Sequence, residues 1–304
     1  MHARIVSATV ALAAAQMASA ALKTIDVDLN PSDNKSVAVY KTTPEGELKI
    51  HLYFPRNWKP ADRRPGIVFF FGGGFVNGNP RQFTTKAEYL ATRGMVAASA
   101  EYRVKNTHHT GPEKCIEDAK SAVRWLRVNA RRLGIDPERV LAGGGSAGGT
   151  DAVFTAYNTT YEPEGEDTSI SSKPNALVLY NPAIGTPEFT SPNRPKEEQA
   201  AIREFLSAWK VTKGGPPAIL FFGTDDALLA PARAFVKEMI AAENRVELYT
   251  AEGQKHGFFN DRDGTPWHAA CLHQTDLFLA SLGYVKGPPT IQTPAGATLK
   301  KEMP

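Results

Sequence analysis

The chain has 304 residues, of which 42% are hydrophobic, and this length and composition suit one large α/β domain with a substantial core. Its formal net charge at pH 7 is only +3 and its basic residues are scattered, which argues against a nucleic-acid-binding protein. Beyond the N-terminus, no segment has the long uncharged apolar run that a membrane-spanning helix needs.

The first twenty residues have the pattern of a secretory signal peptide. Arg4 precedes an apolar stretch over residues 5–15, and residues 18–20 read Ala-Ser-Ala, an A-x-A cleavage site. A buried helix fits less well, because the stretch is short, rich in alanine and flanked as a signal peptide is. No cysteine near the cleavage site could carry a lipid. We therefore expect cleavage after Ala20 and a soluble, secreted or periplasmic mature protein without a membrane anchor.

Runs with strand periodicity alternate with runs of helical periodicity along most of the chain. Strands are predicted at 36–40, 47–54, 66–71, 95–102, 140–142, 176–180, 218–222 and 246–250. Helices are predicted at 84–92, 112–133, 146–158, 196–209, 231–243 and 267–282, with Gly134 as the stop of the second. This order predicts a doubly wound α/β fold, with a mostly parallel sheet of about eight strands, helices on both faces, and ligands at the carboxyl ends of the strands.

Two insertions and a tail interrupt or follow this alternation. Residues 159–174 are acidic and polar, and residues 182–217 hold one helix between Pro-rich and Gly-rich flanks. Each insertion either shapes a lid or acyl pocket over the strand ends or is a solvated surface excursion, and the sequence leaves both open. Residues 286–304 contain Pro288-Pro289 and few apolar anchors, so we expect a flexible tail after a catalytic domain spanning residues 21–285.

Cys115 and Cys271 are the two cysteines of the chain. In an oxidising compartment they could pair as a disulfide, or they could be two separate buried thiols. The sequence leaves both alternatives open.

Residues 139–150 read Arg-Val-Leu-Ala-Gly-Gly-Gly-Ser-Ala-Gly-Gly-Thr and contain a G-x-S-x-G nucleophile elbow centred on Ser146. Such an elbow is a tight turn that lifts the serine oxygen off the sheet, and a Cβ on the neighbouring glycines would collide with the adjoining strand or helix. The pentapeptide alone also occurs in ordinary glycine-rich turns. Here an apolar run precedes it, and residues 151–157, free of Gly and Pro, follow it. Ser146 is therefore the candidate nucleophile.

A serine hydroxyl needs a general base and an orienting carboxylate to attack near neutral pH. Of the seven histidines, His256 is the candidate base, because its loop directly follows the last predicted strand and can fold back over the serine corner. The preceding strand, 218–222, leads into Asp225 and Asp226. We favour Asp226 as the carboxylate, because the spacing Gly-x-x-Asp lets the chain turn first; Asp225 is the alternative.

Ester hydrolysis also requires donors for the tetrahedral oxyanion, each typically worth about 2.7–4 kcal/mol. The strand 66–71 runs into a triple glycine, whose bare amides can approach a substrate oxygen closely, unless the run is only a flexible turn. The candidate oxyanion hole consists of the amides of Gly73, Gly74 and Ala147. Five further residues are candidates for lining the substrate pocket, although packing or loop structure explains each equally well: Phe75, Asn77, Tyr102, Asn181 and Phe258.

The chain order Ser146, Asp226, His256, together with the elbow and the glycine run, resembles the α/β-hydrolase superfamily and its HGGG-type esterases and lipases. The sequence of residues 117–125, with His-Gly-Phe at 256–258, is similar to the bacterial branch of acetyl esterases, xylan esterases and feruloyl-esterase-like domains. The resemblance covers residues 36–284. Phe71 stands where HGGG enzymes have histidine, which should leave the oxyanion hole intact but change how its loop is braced.

The resemblance implies a secreted serine carboxylesterase that works through an acyl-enzyme on Ser146. The expected substrates are short-chain esters of plant polysaccharides or related compounds, with acetyl ahead of feruloyl. Neither a metal nor an organic cofactor is implied. One alternative is a serine peptidase or amidase of the same superfamily, although the sequence has no propeller repeats. A non-catalytic hydrolase-fold binding protein is less favoured, because such proteins usually lose a triad member.

Overall fold

The computed structural model describes residues 34–184, 196–261, 265–293 and 295–302. The predicted signal peptide and its cleavage site lie outside these residues, as does part of the insertion at 182–217. None of the helices in the described ranges is long and apolar enough to cross a membrane.

Nine strands of the described residues form one sheet. In chain order they are β1 (Lys35–Thr43), β2 (Gly46–Tyr53), β3 (Arg64–Phe70), β4 (Val96–Ala100), β5 (Ile135–Gly145), β6 (Leu177–Tyr180), β7 (Ala218–Gly223), β8 (Val246–Ala251) and β9 (Leu299–Lys301). Their order across the sheet is β1-β2-β4-β3-β5-β6-β7-β8-β9. The six central strands, β4-β3-β5-β6-β7-β8, pair with one another in parallel. The outer strands β1, β2 and β9 pair antiparallel to their neighbours. The predicted fold class is confirmed, with one strand more than expected.

Helices cover both faces of this sheet. They are α1 (Thr84–Thr92), α2 (Lys105–His108), α3 (Pro112–Val128), α4 (Ala130–Leu133), α5 (Ala147–Tyr157), α6 (Lys196–Ser207), α7 (Leu229–Ala241) and α8 (Trp267–Ser281). The predicted helix at 112–133 is divided at Asn129, and Gly134, at φ +64°, ends its second part as expected.

Alternating side chains of the parallel strands enter two separate hydrophobic clusters. In β3, Val68 and Phe70 belong to one cluster, while Ile67 and Phe69 belong to the other. Because successive side chains of a strand point to opposite faces, the two clusters are the cores on the two sides of the sheet. This double burial explains why these strands are apolar throughout.

The two cysteines are both free and buried. Cys115, on α3, belongs to the first of these clusters, and Cys271, on α8, belongs to the second. The sheet therefore separates them, and the structure has two separate thiols rather than a disulfide.

The tail expected to be flexible after residue 285 contains ordered structure. Arg93 donates hydrogen bonds to the carbonyl oxygens of Lys286 and Gly287, at 2.9 and 3.0 Å. Further along, β9 pairs with the edge of β8. The prediction of a flexible tail differs from the structure because backbone hydrogen bonds, which composition does not record, hold this segment together with the apolar contacts of Ala297 and Leu299.

The insertion at 159–174 packs against α3. Glu162 accepts hydrogen bonds from Lys120 and Arg124 of that helix at 2.7 and 2.6 Å, and both basic side chains are buried. The other insertion contributes α6, whose Phe205 packs edge-on against Phe75, with ring centroids 5.4 Å apart. Tyr161 of the first insertion stacks on the same Phe205 at 5.7 Å, so both insertions pack into the cluster beside the glycine run after β3.

Asp151, on α5, is a fully buried acid whose two carboxyl oxygens have no hydrogen-bond partner within the described residues. Burial raises the pKa of this carboxyl well above its usual value, and the negative charge of Asp118 raises it further. The folded chain must therefore retain a proton that the unfolded chain releases above about pH 3.9. Stability that is present below that pH is lost as the pH rises towards the folded-state pKa.

We expect Asp151→Asn, which is neutral at every pH, to raise the free energy of unfolding at pH 7 by about 1–3 kcal/mol. The gain should shrink as the pH falls towards 3, where the wild-type acid is protonated in both states. Urea unfolding between pH 3 and 8 measures this, with Asp225→Asn, at an exposed position, as the control. A difference in stability that does not change with pH would contradict the assignment.

Candidate active site

Ser146 occupies the corner between β5 and α5. Its backbone has φ +53° and ψ −121°, a conformation that costs a non-glycine residue about 1–3 kcal/mol. Its amide donates to the carbonyl oxygen of Tyr180 at 3.0 Å, and its carbonyl oxygen accepts from the amide of Ala183 at 3.2 Å. The segment after β6 therefore holds the serine in the strained turn that was predicted.

The glycines around this corner are required by close backbone packing. A Cβ on Gly144 would lie 2.3 Å from the carbonyl oxygen of Gly148. A Cβ on Gly148 would lie 2.2 Å from the carbonyl oxygen of Phe70. Neither distance is possible without moving the backbone, so the steric reason given for the elbow motif holds in the structure.

Ser146, His256 and Asp226 form one hydrogen-bonded line. Nε2 of His256 lies 2.9 Å from Oγ of Ser146, and its Nδ1 lies 2.9 Å from Oδ2 of Asp226. The three residues follow β5, β8 and β7, whose carboxyl ends meet at the same edge of the sheet. When Nδ1 donates to the carboxylate, Nε2 is free to accept the serine proton.

The structure distinguishes the two neighbouring aspartates. Asp226 has a buried side chain, and its second carboxyl oxygen accepts from the amide of Leu228 at 2.9 Å, which fixes its orientation. Asp225 is exposed, and within the described residues its carboxylate accepts one long hydrogen bond, from Thr224 at 3.5 Å. The predicted preference for Asp226 therefore agrees with the geometry.

Three backbone amides near Ser146 are available to an oxyanion. Gly72 already donates to Oε1 of Gln82 at 2.6 Å, whereas the amides of Gly73 and Gly74 have no hydrogen-bond partner within the described part of the chain. Ala147 is the first residue of α5, so its amide has no partner inside the helix. The sequence predicted these same three amides as the oxyanion hole, and within the described residues the structure leaves each of them free to donate.

The loop with the glycine run is braced by an aromatic pair. The ring of Phe71 stacks on that of Tyr102 at 4.0 Å, and the Tyr102 hydroxyl donates to the carbonyl oxygen of Phe71 at 2.5 Å. The amide of Lys105 also donates to the carbonyl oxygen of Phe75 at 3.0 Å. Phe71, where the sequence departs from the HGGG pattern, is thus one half of the pair that braces this loop. Tyr102 is fully buried and supports the loop, so its prediction as a pocket residue was wrong.

Two further polar residues connect this loop to the loop of His256, and sequence reasoning missed both. Gln82, which accepts from Gly72, donates to Oδ1 of Asn260 at 2.8 Å. Asn260 in turn donates to the carbonyl oxygen of Gly257 at 2.8 Å. Neither residue belongs to a motif, so the sequence carried no signal for this link. The oxyanion loop and the histidine loop are thereby one hydrogen-bonded unit.

A buried lysine supports the histidine loop from below. Lys86, on α1, donates to the carbonyl oxygen of Phe259 at 3.0 Å, and its Nζ lies over the rings of Phe83, Tyr180 and Phe259. Burial lowers the pKa of this amine to about 7, against the smaller opposing effects of Cys271 and Asp261.

The remaining predicted pocket residues have different surroundings. Phe75 is partly buried beside α6, at φ +63°, and Asn77 is exposed, with its amide bound to the carbonyl oxygen of Gly73 at 3.2 Å. Phe258 is partly buried and packs edge-on against Trp267 at 5.9 Å. Asn181 is fully buried and contacts His256 itself. Among the described residues, no group of three or more His, Cys, Asp or Glu side chains could hold a metal ion.

Comparison with known proteins agrees with this site. Residues 50–180 match the family model BD-FAE. The chain is 28% identical to Esterase LipC of Mycobacterium tuberculosis over 75% of this chain and 62% of LipC. It is 26% identical to Carboxylesterase NlhH of the same species, over 70% of this chain and 72% of that protein. The chain spans less than two thirds of the first curated relatives, 62% of LipC and 35% of Esterase LipI.

Solved structures of Thermogutta terrifontis esterase 2 match over a larger share of the chain. The form phosphorylated by paraoxon is 41% identical, with a TM-score of 0.75, over 84% of this chain and 96% of that one. The apo form has a TM-score of 0.77 at the same identity, over 84% and 97%. Ser146, His256 and Asp226 form a hydrogen-bonded line on this fold. Together with the 41% identity to the T. terrifontis esterase over 84% of this chain, this line shows that the chain belongs to the bacterial α/β-hydrolase esterases, a family of carboxylic ester hydrolases.

Proposed function

We propose that this protein is a serine carboxylesterase that hydrolyses short-chain acyl esters through an acyl-enzyme on Ser146. The observation that carries the proposal is His256, placed 2.9 Å from both the Ser146 hydroxyl and the Asp226 carboxylate. A relative of this protein supports the choice of short acyl groups, since the T. terrifontis esterase has been solved with propionate bound and with butyrate bound.

In the first half of the reaction, Nε2 of His256 accepts the Ser146 proton while Oγ attacks the ester carbonyl carbon. The oxygen of the tetrahedral intermediate accepts hydrogen bonds from the amides of Gly73, Gly74 and Ala147. The intermediate then expels the alcohol, which takes the proton from His256 and leaves an ester on Ser146.

In the second half, His256 accepts a proton from water, and the hydroxyl oxygen attacks the acyl-enzyme. Collapse of the second tetrahedral intermediate releases the carboxylic acid and returns the proton to Ser146. Asp226 holds the imidazole in one tautomer throughout and stabilises the imidazolium that forms in each half.

We further propose that acetyl esters of plant polysaccharides or related compounds are the substrates, ahead of feruloyl esters, and that the enzyme acts outside the cytoplasm. The contact between Phe75 and Phe205 supports a small acyl group, because it fills space beside Gly74 with two aromatic rings. The predicted signal peptide supports export. The expected partner is the ester substrate itself, a small molecule or a carbohydrate.

Rates of hydrolysis of acetyl, butyryl and feruloyl esters of one alcohol test this proposal. We expect kcat/KM to fall in that order, and to be lower still for the corresponding acetyl amide. Paraoxon should inactivate the enzyme and leave a diethylphosphoryl group on the peptide that contains Ser146, detectable by mass spectrometry. Faster cleavage of amides than of esters would favour a peptidase or amidase instead, and modification of a different residue would contradict the assignment of Ser146.

A further inference from the structure

Asn181 follows β6 directly and contacts the histidine from the segment that holds the nucleophile. Its backbone is in an unusual conformation for a residue other than glycine, at φ +36°, and its side chain is fully buried. Its amide continues the sheet by donating to the carbonyl oxygen of Phe221 at 2.8 Å, and the preceding Tyr180 and the nearby Ala183 bind the backbone of Ser146. The position of Asn181 is therefore fixed by the same segment that holds the elbow.

The carboxamide of Asn181 contacts the imidazole of His256. Its Nδ2 lies 3.0 Å from Nδ1 and 3.1 Å from Nε2 of the ring. An atom equally close to both nitrogens cannot lie in the ring plane at these distances without overlapping ring carbon atoms, so the amide nitrogen lies over the face of the ring. Its partner oxygen, Oδ1, accepts from the amide of Gly257 at 3.3 Å, which assigns the nitrogen to the side facing the ring.

This contact differs in kind from the other two contacts of the ring. Asp226 and Ser146 bind the edge of the imidazole, in the directions of its two nitrogens, whereas Asn181 covers one face. An N–H group is attracted to the electron-rich face of a neutral ring and repelled by a ring that carries a positive charge. The carboxamide can therefore bind the face of the neutral imidazole, the form that acts as a base.

We propose that Asn181 is a positioning residue for His256. Its carboxamide covers one face of the imidazole and holds the ring in line between Asp226 and Ser146. The sequence suggested a substrate-binding role for Asn181, and its complete burial against the ring replaces that interpretation. As a statement about catalysis, the inference rests on the proposed esterase function.

Two substitutions test this contact, one by placing a charge over the ring and one by removing the side chain. Asn181→Asp keeps the shape of the side chain and tolerates positive φ, but places oxygen atoms of a carboxylate over the ring. Asn181→Gly removes the side chain without adding backbone strain. Asn244→Asp is the matched control, because Asn244 is also buried but bonds to the segment at residues 212–215, away from the site.

For Asn181→Asp we expect the acid limb of the pH profile of kcat/KM to move to higher pH by about one unit, because a carboxylate stabilises the imidazolium. Asp226 contacts the ring, the exposed Lys255 precedes it in the chain, and Lys86 bonds to the carbonyl oxygen of Phe259 in the same loop; neither substitution changes these charges. The control Asn244→Asp should leave the profile in place.

For Asn181→Gly we expect kcat to fall about 10–100-fold with KM nearly unchanged, since a misplaced base slows the chemistry without weakening binding. A raised KM at unchanged kcat would instead assign Asn181 to substrate binding and overturn the proposal. So would a profile of Asn181→Asp that superimposes on the wild type. Either variant alone can decide the matter if the other fails to fold.

An NMR titration keeps this inference separate from the proposed function. The Cε1 proton of His256, assigned by its loss in His256→Ala, reports the pH at which the ring is half protonated, whether or not the protein hydrolyses esters. We expect this midpoint to rise in Asn181→Asp and to stay in place in Asn244→Asp. No change in Asn181→Asp would overturn the inference, whereas a shift without any esterase activity would overturn only the proposed function.

Discussion

Replacing Ser146 with alanine is expected to lower kcat for acetyl ester hydrolysis about a millionfold, because it removes the atom that forms the acyl-enzyme. His256→Ala should cost nearly as much, since the hydroxyl 2.9 Å from Nε2 then has no base to take its proton. Because the two side chains act as one unit, the double variant should be about as slow as either single variant. Steady-state hydrolysis of 4-nitrophenyl acetate measures all three.

Ser146→Ala is not expected to change the stability of the fold, so a loss of activity reports on the chemistry. Alanine has the same backbone demands as serine, and the hydrogen bonds that hold residue 146 come from its amide and carbonyl groups. Thermal unfolding of Ser146→Ala should therefore be close to that of the wild type. If the loss of kcat in the double variant equals the product of the two single losses, Ser146 and His256 act separately. That result would contradict the acyl-enzyme mechanism.

The second large effect concerns the carboxylate. Asp226→Asn should lower kcat about 10⁴-fold, because an amide facing Nδ1 no longer selects the tautomer with Nε2 free to accept a proton. Asp225→Asn, one residue earlier and exposed, should change kcat about twofold or less. The measurement is kcat at a pH where the wild-type rate no longer changes.

This pair of variants discriminates between the two aspartates of the sequence Gly-Thr-Asp-Asp. Both variants lose one negative charge near the histidine loop, so a general electrostatic effect would slow both. A larger loss for Asp225→Asn than for Asp226→Asn would mean that the loop rearranges when substrate binds and that the resting contact of 2.9 Å is not the catalytic one.

The catalytic constellation could be predicted because it depends on topology. Once β5, β7 and β8 are recognised as parallel strands, the residues after them must meet at one edge of the sheet. The elbow added a local steric requirement, which glycine satisfies at residues 144 and 148 and which sequence displays directly. The general position of Ser146, Asp226 and His256 therefore followed from short segments of sequence.

The supporting residues could not be predicted, because their roles depend on partners far away in the chain. Gln82 bonds to Asn260, 178 residues later, and no periodicity records such a pair. Asn181 and Tyr102 were recognised as lying near the site, but the sequence does not show whether a polar side chain faces a substrate or another side chain. Both turned out to be fully buried.

Strand lengths were also poorly predicted where backbone pairing outweighs side-chain pattern. The strand before the elbow was expected at 140–142, yet β5 runs over Ile135–Gly145. Its first part contains Asp136 and Pro137, and its last part is glycine, so neither part has the apolar alternation that marks a strand. Pairing with β3 and β6 defines both ends.

The short strand β9 covers part of the edge that β8 would otherwise form. Among the described strands, both outer edges of the sheet belong to antiparallel strands, and β9 pairs with the last three residues of β8. The open edge of β9 is three residues long and carries Lys300 and Lys301, and short, positively charged edges discourage pairing with other chains. The carboxyl-terminal segment thus protects a sheet rich in apolar strands from edge-to-edge aggregation.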